Sequence, residues 1–305
     1  MEKDKCTKAA NILFNNRINK KRLDKLPIDC IPSNIEEAYK IQDELKILYL
    51  TLKDNYTIGK KVGCTNKLAQ KQINIEDAYK IQDELKIIYL TLKDNYVIGK
   101  KVGCTNKWAQ KQINVEEPFY GNLFSKYSSM SGCKLMSNKF SEPYMEAEFS
   151  FRIKEDINIA NAPFTFDKIA DIVDTVMGSV EIVDFRFNKE LKNIGINNLI
   201  STNAASEYWI KGLKEFKINE INLSNHPVKV FINGELMKEG NSSNVLENPL
   251  NSLLWLINKL SLKGETLLKN NVVSTGTCTV AIPLEKNYKV RVDFANMGNI
   301  DFQFN

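Results

Sequence analysis

The stretch Glu142-Pro143-Tyr144-Met145-Glu146-Ala147-Glu148-Phe149-Ser150-Phe151 alternates strictly over its last six residues. Glu146, Glu148 and Ser150 fall on one face of a strand and Ala147, Phe149 and Phe151 on the other, the period-two pattern of a half-buried strand. The two carboxylates then project from one face about 7 Å apart at the Cα level. Downstream, Ile169, Ile172, Val173, Val176 and Met177 recur at helical spacing and predict a helix ending at Gly178. Ser179-Val180-Glu181-Ile182-Val183-Asp184-Phe185-Arg186-Phe187 returns to a strand, on which Glu181 shares its face with Val183, Phe185 and Phe187. A carboxylate on an apolar face needs a counter-charge or must be protonated. Arg186 or a lysine is the expected counter-charge.

Working outward, residues 218 onward read as strands and turns: 228–233 with the turn Asn233-Gly234, 272–282 and 288–294. One helix interrupts at 249–260, with Leu253, Leu256, Ile257 and Leu260 on its apolar side. The pattern predicts an α+β fold with a mixed, mostly antiparallel β core and helices toward the N-terminal part. Neither alternating βα units nor a glycine-rich phosphate loop is present.

The N-terminal part holds a tandem duplication: 35–74 recurs as 75–114, differing only at Glu37/Asp77, Leu48/Ile88, Thr57/Val97 and Leu68/Trp108. Stacked-repeat folds need three or more units, so two near-identical copies read as an internal duplication. The expected organisation is an N-terminal helical cap region at 1–114 and a β-rich catalytic domain at 115–305. Each copy reads as a helix followed by a strand, with Ser33-x-x-Glu36 as a capping box for the first. On the strands, Lys61 shares a face with Gly59 and Gly63, and Lys101 with Gly99 and Gly103, which leaves room for a ligand beside an ammonium. A solubilising lysine on an edge strand is the alternative.

Composition narrows the chemistry. Forty-two basic and 37 acidic residues give a net charge of +5 over 305 residues, too weak a basic footprint for a nucleic-acid partner. The single histidine, in Asn225-His226-Pro227, reads as a surface loop, so acid–base work falls to carboxylates, lysine or metal-bound water. Six cysteines without a Cys-x-x-Cys pair, and a charged opening Met1-Glu2-Lys3-Asp4-Lys5, predict reduced thiols in the cytoplasm. The apolar stretches are too short for a membrane span. If Glu146, Glu148 and Glu181 converge, a hard cation, Mg²⁺ or Mn²⁺, is the economical way to neutralise them.

The ordered motifs Gly99-Lys100-Lys101-Val102-Gly103, Glu146-Ala147-Glu148-Phe149, Val180-Glu181-Ile182-Val183-Asp184, Asn203-Ala204-Ala205-Ser206, Asn248-Pro249-Leu250 and Ser274-Thr275-Gly276-Thr277 resemble the fumarylacetoacetate hydrolase-like superfamily. The branch is that of 2-keto-4-pentenoate hydratases and 4-oxalocrotonate decarboxylases. The resemblance implies the C-terminal fold of fumarylacetoacetate hydrolase, and an Mg²⁺ or Mn²⁺ enzyme with Glu146, Glu148 and Glu181 as ligands. It implies an active-site lysine, Lys101 or alternatively Lys61, and Ser206 near the substrate. The implied substrate is a small 2-oxo or 2-hydroxy-dienoate acid, and the implied assembly a homo-oligomer. The implied reaction is hydration of 2-hydroxypenta-2,4-dienoate to 4-hydroxy-2-oxopentanoate, or decarboxylation of 4-oxalocrotonate. A catalytically silent relic or binding protein of the same fold is the alternative from another class. Pro118-Phe119-Tyr120-Gly121 stands where hydratases of this type often read Pro-Asp-Phe-Gly, a departure that bears on substrate identity.

Overall fold

The computed structural model describes residues 3–18, 26–34, 37, 38, 40, 41, 44, 74–185, 187 and 191–305. Lys61, with the rest of the first-copy strand, and Arg186 lie outside the described residues. The chain divides into two compact units, Met1–Ala78 and Tyr79–Asn305. The second copy's strand is hydrogen-bonded into the main sheet of the larger unit.

In the first unit, helix α1 (Lys3–Ile18) places Cys6, Ala9 and Ala10 in one cluster with Leu26, Cys30 and Ile41, the i, i+3, i+4 stripe of an amphipathic helix. The expected capping box is shifted by one residue. Asn34 Oδ1 accepts from the Glu37 amide at 2.9 Å, and the Glu37 carboxylate accepts from the Ser33 amide at 2.7 Å.

The second unit opens within the second copy. Helix α2 (Ile75–Leu90) buries Tyr79, Gln82 and Tyr89. Gln82 Nε2 donates to the carbonyls of Tyr120 and Ile200, both at 2.9 Å, tying the helix to two other segments. Strand β1 (Val97–Gly103) follows, then helix α3 (Lys107–Ile113) and strand β2 (Phe119–Phe124). None of the four positions that differ between the copies is buried here; Trp108 is 62% exposed.

The large sheet also takes in β3 (Ser128–Met130), β5 (Pro143–Ile153), β6 (Val173–Asp184), β7 (Ser206–Lys211) and β10 (Val272–Thr277), in the order β2-β1-β10-β5-β6-β7-β3, with β11 (Ile282–Pro283) beside β5. The second sheet, β4-β13-β12-β8-β9, comprises Lys134–Leu135, Asn299–Phe304, Tyr288–Asp293, Pro227–Ile232 and Glu235–Asn241. Among the described pairs, β1/β10, β3/β7 and β4/β13 are parallel and the rest antiparallel. The α+β fold with a mixed, mostly antiparallel core is as expected.

Three local expectations are corrected. Residues 173–177 belong to strand β6, because β6 pairs with β5 along nearly the whole of its length. Strand β5 is buried on both faces, since Phe149 packs edge-on against Phe294 and His226 of the second-sheet side, each at 5.5 Å, while the carboxylate face is covered from within. His226 is a core residue, 6% exposed, with Nε2 2.8 Å from the Phe294 carbonyl. The expected helix is present: Asn248 caps α4 (Pro249–Ser261), with Oδ1 accepting from Leu250 N at 3.0 Å and Pro249 in the first turn.

Candidate functional site

Strand register brings the acidic residues together. Glu146 on β5 lies directly opposite Glu181 on β6, and Glu148 lies opposite Ser179. One ligand oxygen from each of Glu146, Glu148 and Glu181 falls within 4.8 Å of the others. Glu148 and Glu181 are fully buried, and Glu146 is half-buried.

Strand β1 supplies the counter-charge. Lys101, 2% exposed, holds Nζ 3.0 Å from Glu181 Oε2, so the cation expected beside Glu181 is a lysine. The flanking glycines serve different ends. A Cβ on Gly103 would sit 3.4 Å from Lys101 Nζ and 3.0 Å from the Phe119 ring. One on Gly99 would sit 1.8 Å from the Val272 carbonyl oxygen, so glycine there permits the approach of β1 to β10.

The electrostatics follow from burial and proximity. Burial pushes the Glu146 carboxyl up to about 7, with Lys101 opposing and Glu181 adding to the rise. Glu148 is raised well above the ordinary range by burial, then by Glu181 and Glu146. For Lys101, burial favours the neutral amine, but the three carboxylates, Glu181 first, outweigh it and raise its pKa. Lys101 is therefore an ammonium at neutral pH.

Glu148 is held on one side only. Its Oε2 accepts from Ser274 Oγ at 2.5 Å and from the Gly276 amide at 3.1 Å, while Oε1 has no partner. Glu181 Oε1 is likewise buried without a hydrogen bond. Unpartnered buried carboxylate oxygens are costly. Three buried carboxyl groups face one ammonium, with burial holding Glu146 and Glu148 toward the protonated form, and the donor set is all hard oxygen. The residues fit a Mg²⁺- or Mn²⁺-type ion.

Below the carboxylates, Ser150, Ser179 and Ser274 form a buried hydroxyl layer, with Ser150 Oγ 2.7 Å from Ser179 Oγ and 3.0 Å from Ser274 Oγ. An apolar cluster of Leu123, Met177, Trp209 and Val272 completes the buried interior. Sequence reading missed the serines as a group. The alternation Glu146/Glu148/Ser150 pointed to one of them, and Ser179 shares its strand face with Glu181, but spacing along the chain does not show that Ser150, Ser179 and Ser274 become neighbours across three strands.

Ser206 opens β7 opposite Val183 and lines a small cavity with Tyr89, Asn122, Tyr127 and Asn203. No hydrogen bond joins it to the glutamates or to Lys101 among the described residues. Asn203, Ala204 and Ala205 just before it all have left-handed φ, from 55° to 57°. Gly121 makes room for this turn, since a Cβ there would lie 2.5 Å from the Asn203 carbonyl oxygen. Among the described residues no helix is long and apolar enough to cross a membrane.

No protein-family model matches the chain. It is 30% identical over 192 residues to the 2-oxo-hept-4-ene-1,7-dioate hydratase of Escherichia coli, covering 62% of this chain and 71% of that protein. It is 28% identical over 187 residues to the 4-oxalocrotonate decarboxylase of Pseudomonas putida, covering 61% and 69%. Among solved structures, the 4-oxalocrotonate decarboxylase of Pseudomonas putida G7, complexed with magnesium and adipate, has the same fold: TM-score 0.75 at 22% identity, over 100% of this chain and 99% of that one.

Proposed function

Because the chain belongs to the hydratase and decarboxylase branch of the fumarylacetoacetate hydrolase-like superfamily, we propose that it is a divalent-cation-dependent hydro-lyase. Its substrate in this reading is 2-hydroxypenta-2,4-dienoate and its product 4-hydroxy-2-oxopentanoate. The observation that carries the reading is the convergence of Glu146, Glu148 and Glu181 beside Lys101, with buried carboxylate oxygens left unpartnered.

Glu146, Glu148 and Glu181 would hold the ion. The chemistry a Mg²⁺ or Mn²⁺ ion supplies there is Lewis acidity, favouring negative charge on the C2 oxygen of a 2-oxo acid. The protein's own contribution is placement and proton handling. Lys101 carries its proton on Nζ inside the site and can donate it to the substrate. The half-buried Glu146 lies at the solvent-facing side, whereas Glu148 and Glu181 are shut away from water. The apolar cluster of Leu123, Met177, Trp209 and Val272 excludes water from the floor. The reaction places hydroxyl on C4 and hydrogen on C5 and C3, taking one proton from water and one from the C2 enol.

The decarboxylase reading uses the same stabilisation at the C2 oxygen and differs in needing recognition of a distal carboxylate. Family membership also supports a cytoplasmic homo-oligomer, which light scattering coupled to size exclusion would test. The functional test is loss of dienol absorbance of 2-hydroxypentadienoate with Mg²⁺ or Mn²⁺, abolished by chelator and by Glu181→Ala. Release of CO₂ from 4-oxalocrotonate without dienoate consumption would move the assignment to the decarboxylase. Inertness toward both substrates in the presence of either ion would leave the silent-relic reading.

A further inference from the structure

A break in the register between β10 and β5 aims two donors at one oxygen. Ser274 pairs with Ser150 and Thr277 pairs with Glu148, so two residues of β10 are taken up in an irregularity between those pairs. Such a bulge redirects side chains and amides. Here it turns Ser274 Oγ and the Gly276 amide onto Glu148 Oε2, at 2.5 and 3.1 Å. Gly276 takes φ of 106°, and a Cβ there would fall 1.9 Å from Thr105 Oγ1, so the amide reaches Glu148 only from a glycine. Thr275 Oγ1, donating to the Phe149 carbonyl at 2.8 Å, pins the segment between the two donors.

The hydroxyl layer sets the direction of the Ser274 proton. The three hydroxyls form a triangle: Ser150 Oγ donates to Ser274 Oγ at 3.0 Å and lies 2.7 Å from Ser179 Oγ, which is 3.3 Å from Ser274 Oγ. With Ser274 accepting from Ser150, its own hydrogen is left for the carboxylate. All three serines are fully buried, so no water competes for these bonds.

We infer that Ser274 is a positioning residue for cation binding: with Gly276 N–H it saturates Oε2 of Glu148 and presents Oε1 alone to the ion, and Ser150 supports it from behind. The inference rests on the functional reading above. Outer hydrogen-bond partners of metal ligands commonly alter affinity by about 10–100-fold when removed, and Ser274→Ala is expected to weaken binding by that factor.

The experiment titrates Mn²⁺ into the full-length metal-free protein by calorimetry and by loss of the free-ion electron spin resonance signal. Wild type, Ser274→Ala, Ser150→Ala and Glu148→Gln are compared, with circular dichroism and melting of the metal-free forms as controls. The expected result is weaker Mn²⁺ binding in Ser274→Ala at unchanged secondary structure, a smaller loss in Ser150→Ala, and the largest in Glu148→Gln. A folded Ser274→Ala with wild-type affinity overturns the inference while leaving the cation site in place. Should Ser274→Ala not fold, wild-type affinity in Ser150→Ala overturns it equally. Absence of Mn²⁺ binding by the wild type overturns the functional reading itself.

Discussion

Glu146 and Glu181 face each other directly across the antiparallel pair β5/β6, a placement in which like charges repel at short range. Lys101, arriving from β1 two strands away from β5, answers part of that repulsion from 3.0 Å. The remaining charge gives the site its pH and cation dependence.

Glu146, raised to about 7 by burial, binds its proton more tightly in the folded protein than at its ordinary 4.5. A raised pKa stabilises below 4.5, and that stabilisation is lost as pH rises through about 7. The metal-free protein should therefore lose melting temperature between pH 4.5 and 7 through this group. Mg²⁺ or Mn²⁺ should restore it above pH 7 by an increment that grows with concentration. Thermal melts at several pH values with and without chelator check this, and a Glu181→Gln protein should show little of the cation's effect.

Replacing Lys101 by methionine keeps the volume and removes the ammonium. Activity should fall on the order of 10²–10⁴-fold, while Mn²⁺ affinity should hold or rise, because a competing positive charge has gone. Lys61→Ala should retain activity. Equal losses from the two lysines would refute assignment of the role to the second copy alone.

Glu215 tests the pH logic away from the site. Arg152 Nη2 and Nε donate to it at 2.6 and 2.9 Å, Lys211 Nζ at 2.5 Å, and the Thr175 hydroxyl also donates. The Arg152 hydrogen bonds, foremost, hold its carboxyl down at about 2. A depressed pKa contributes stability above 4.5 that disappears as pH falls toward 2. Glu215→Gln should cost about 1 kcal/mol at pH 7, as expected for a partly exposed network, and the gap from wild type in urea midpoints should close near pH 2.

Gly99→Ala would drive a methyl into the Val272 carbonyl. Strand β1 must then shift from β10, at a cost of about 3 kcal/mol or more, and Lys101 two residues on would lose its register. A lowered urea midpoint with activity depressed further than stability explains would support this. Unchanged midpoint and activity would contradict the packing described.

Helix α4 was legible because its signals are local: Asn248 caps, Pro249 starts, and four apolar residues share a face. Strand β5 was legible by alternation. Strand β6 was legible from Ser179 on but not over 173–178, since Val173, Val176 and Met177 satisfy a helical spacing as well as an extended one. What separates the two is the partner strand, and periodicity carries no information about partners. His226 looked like a turn residue because Pro227 follows it, yet the Phe294 carbonyl and the Phe149 ring enclose it.

The amino-acid order by itself determined the acidic side chains of β5, the motif set of the family and the presence of a glycine-flanked lysine, because these depend on residue type and spacing along one strand. It put Lys101 first and kept Lys61 as the alternative. Every residue buried in the second copy, from Ala78 to Ile113, has an identical counterpart in the first, and the four differences lie where packing exerts little constraint. Only the tertiary structure seated Lys101 against Glu181, aligned Glu146 with Glu181, and turned Ser274 toward Glu148. Each of those depends on which strands become neighbours and in what register, and that is settled by long-range pairing.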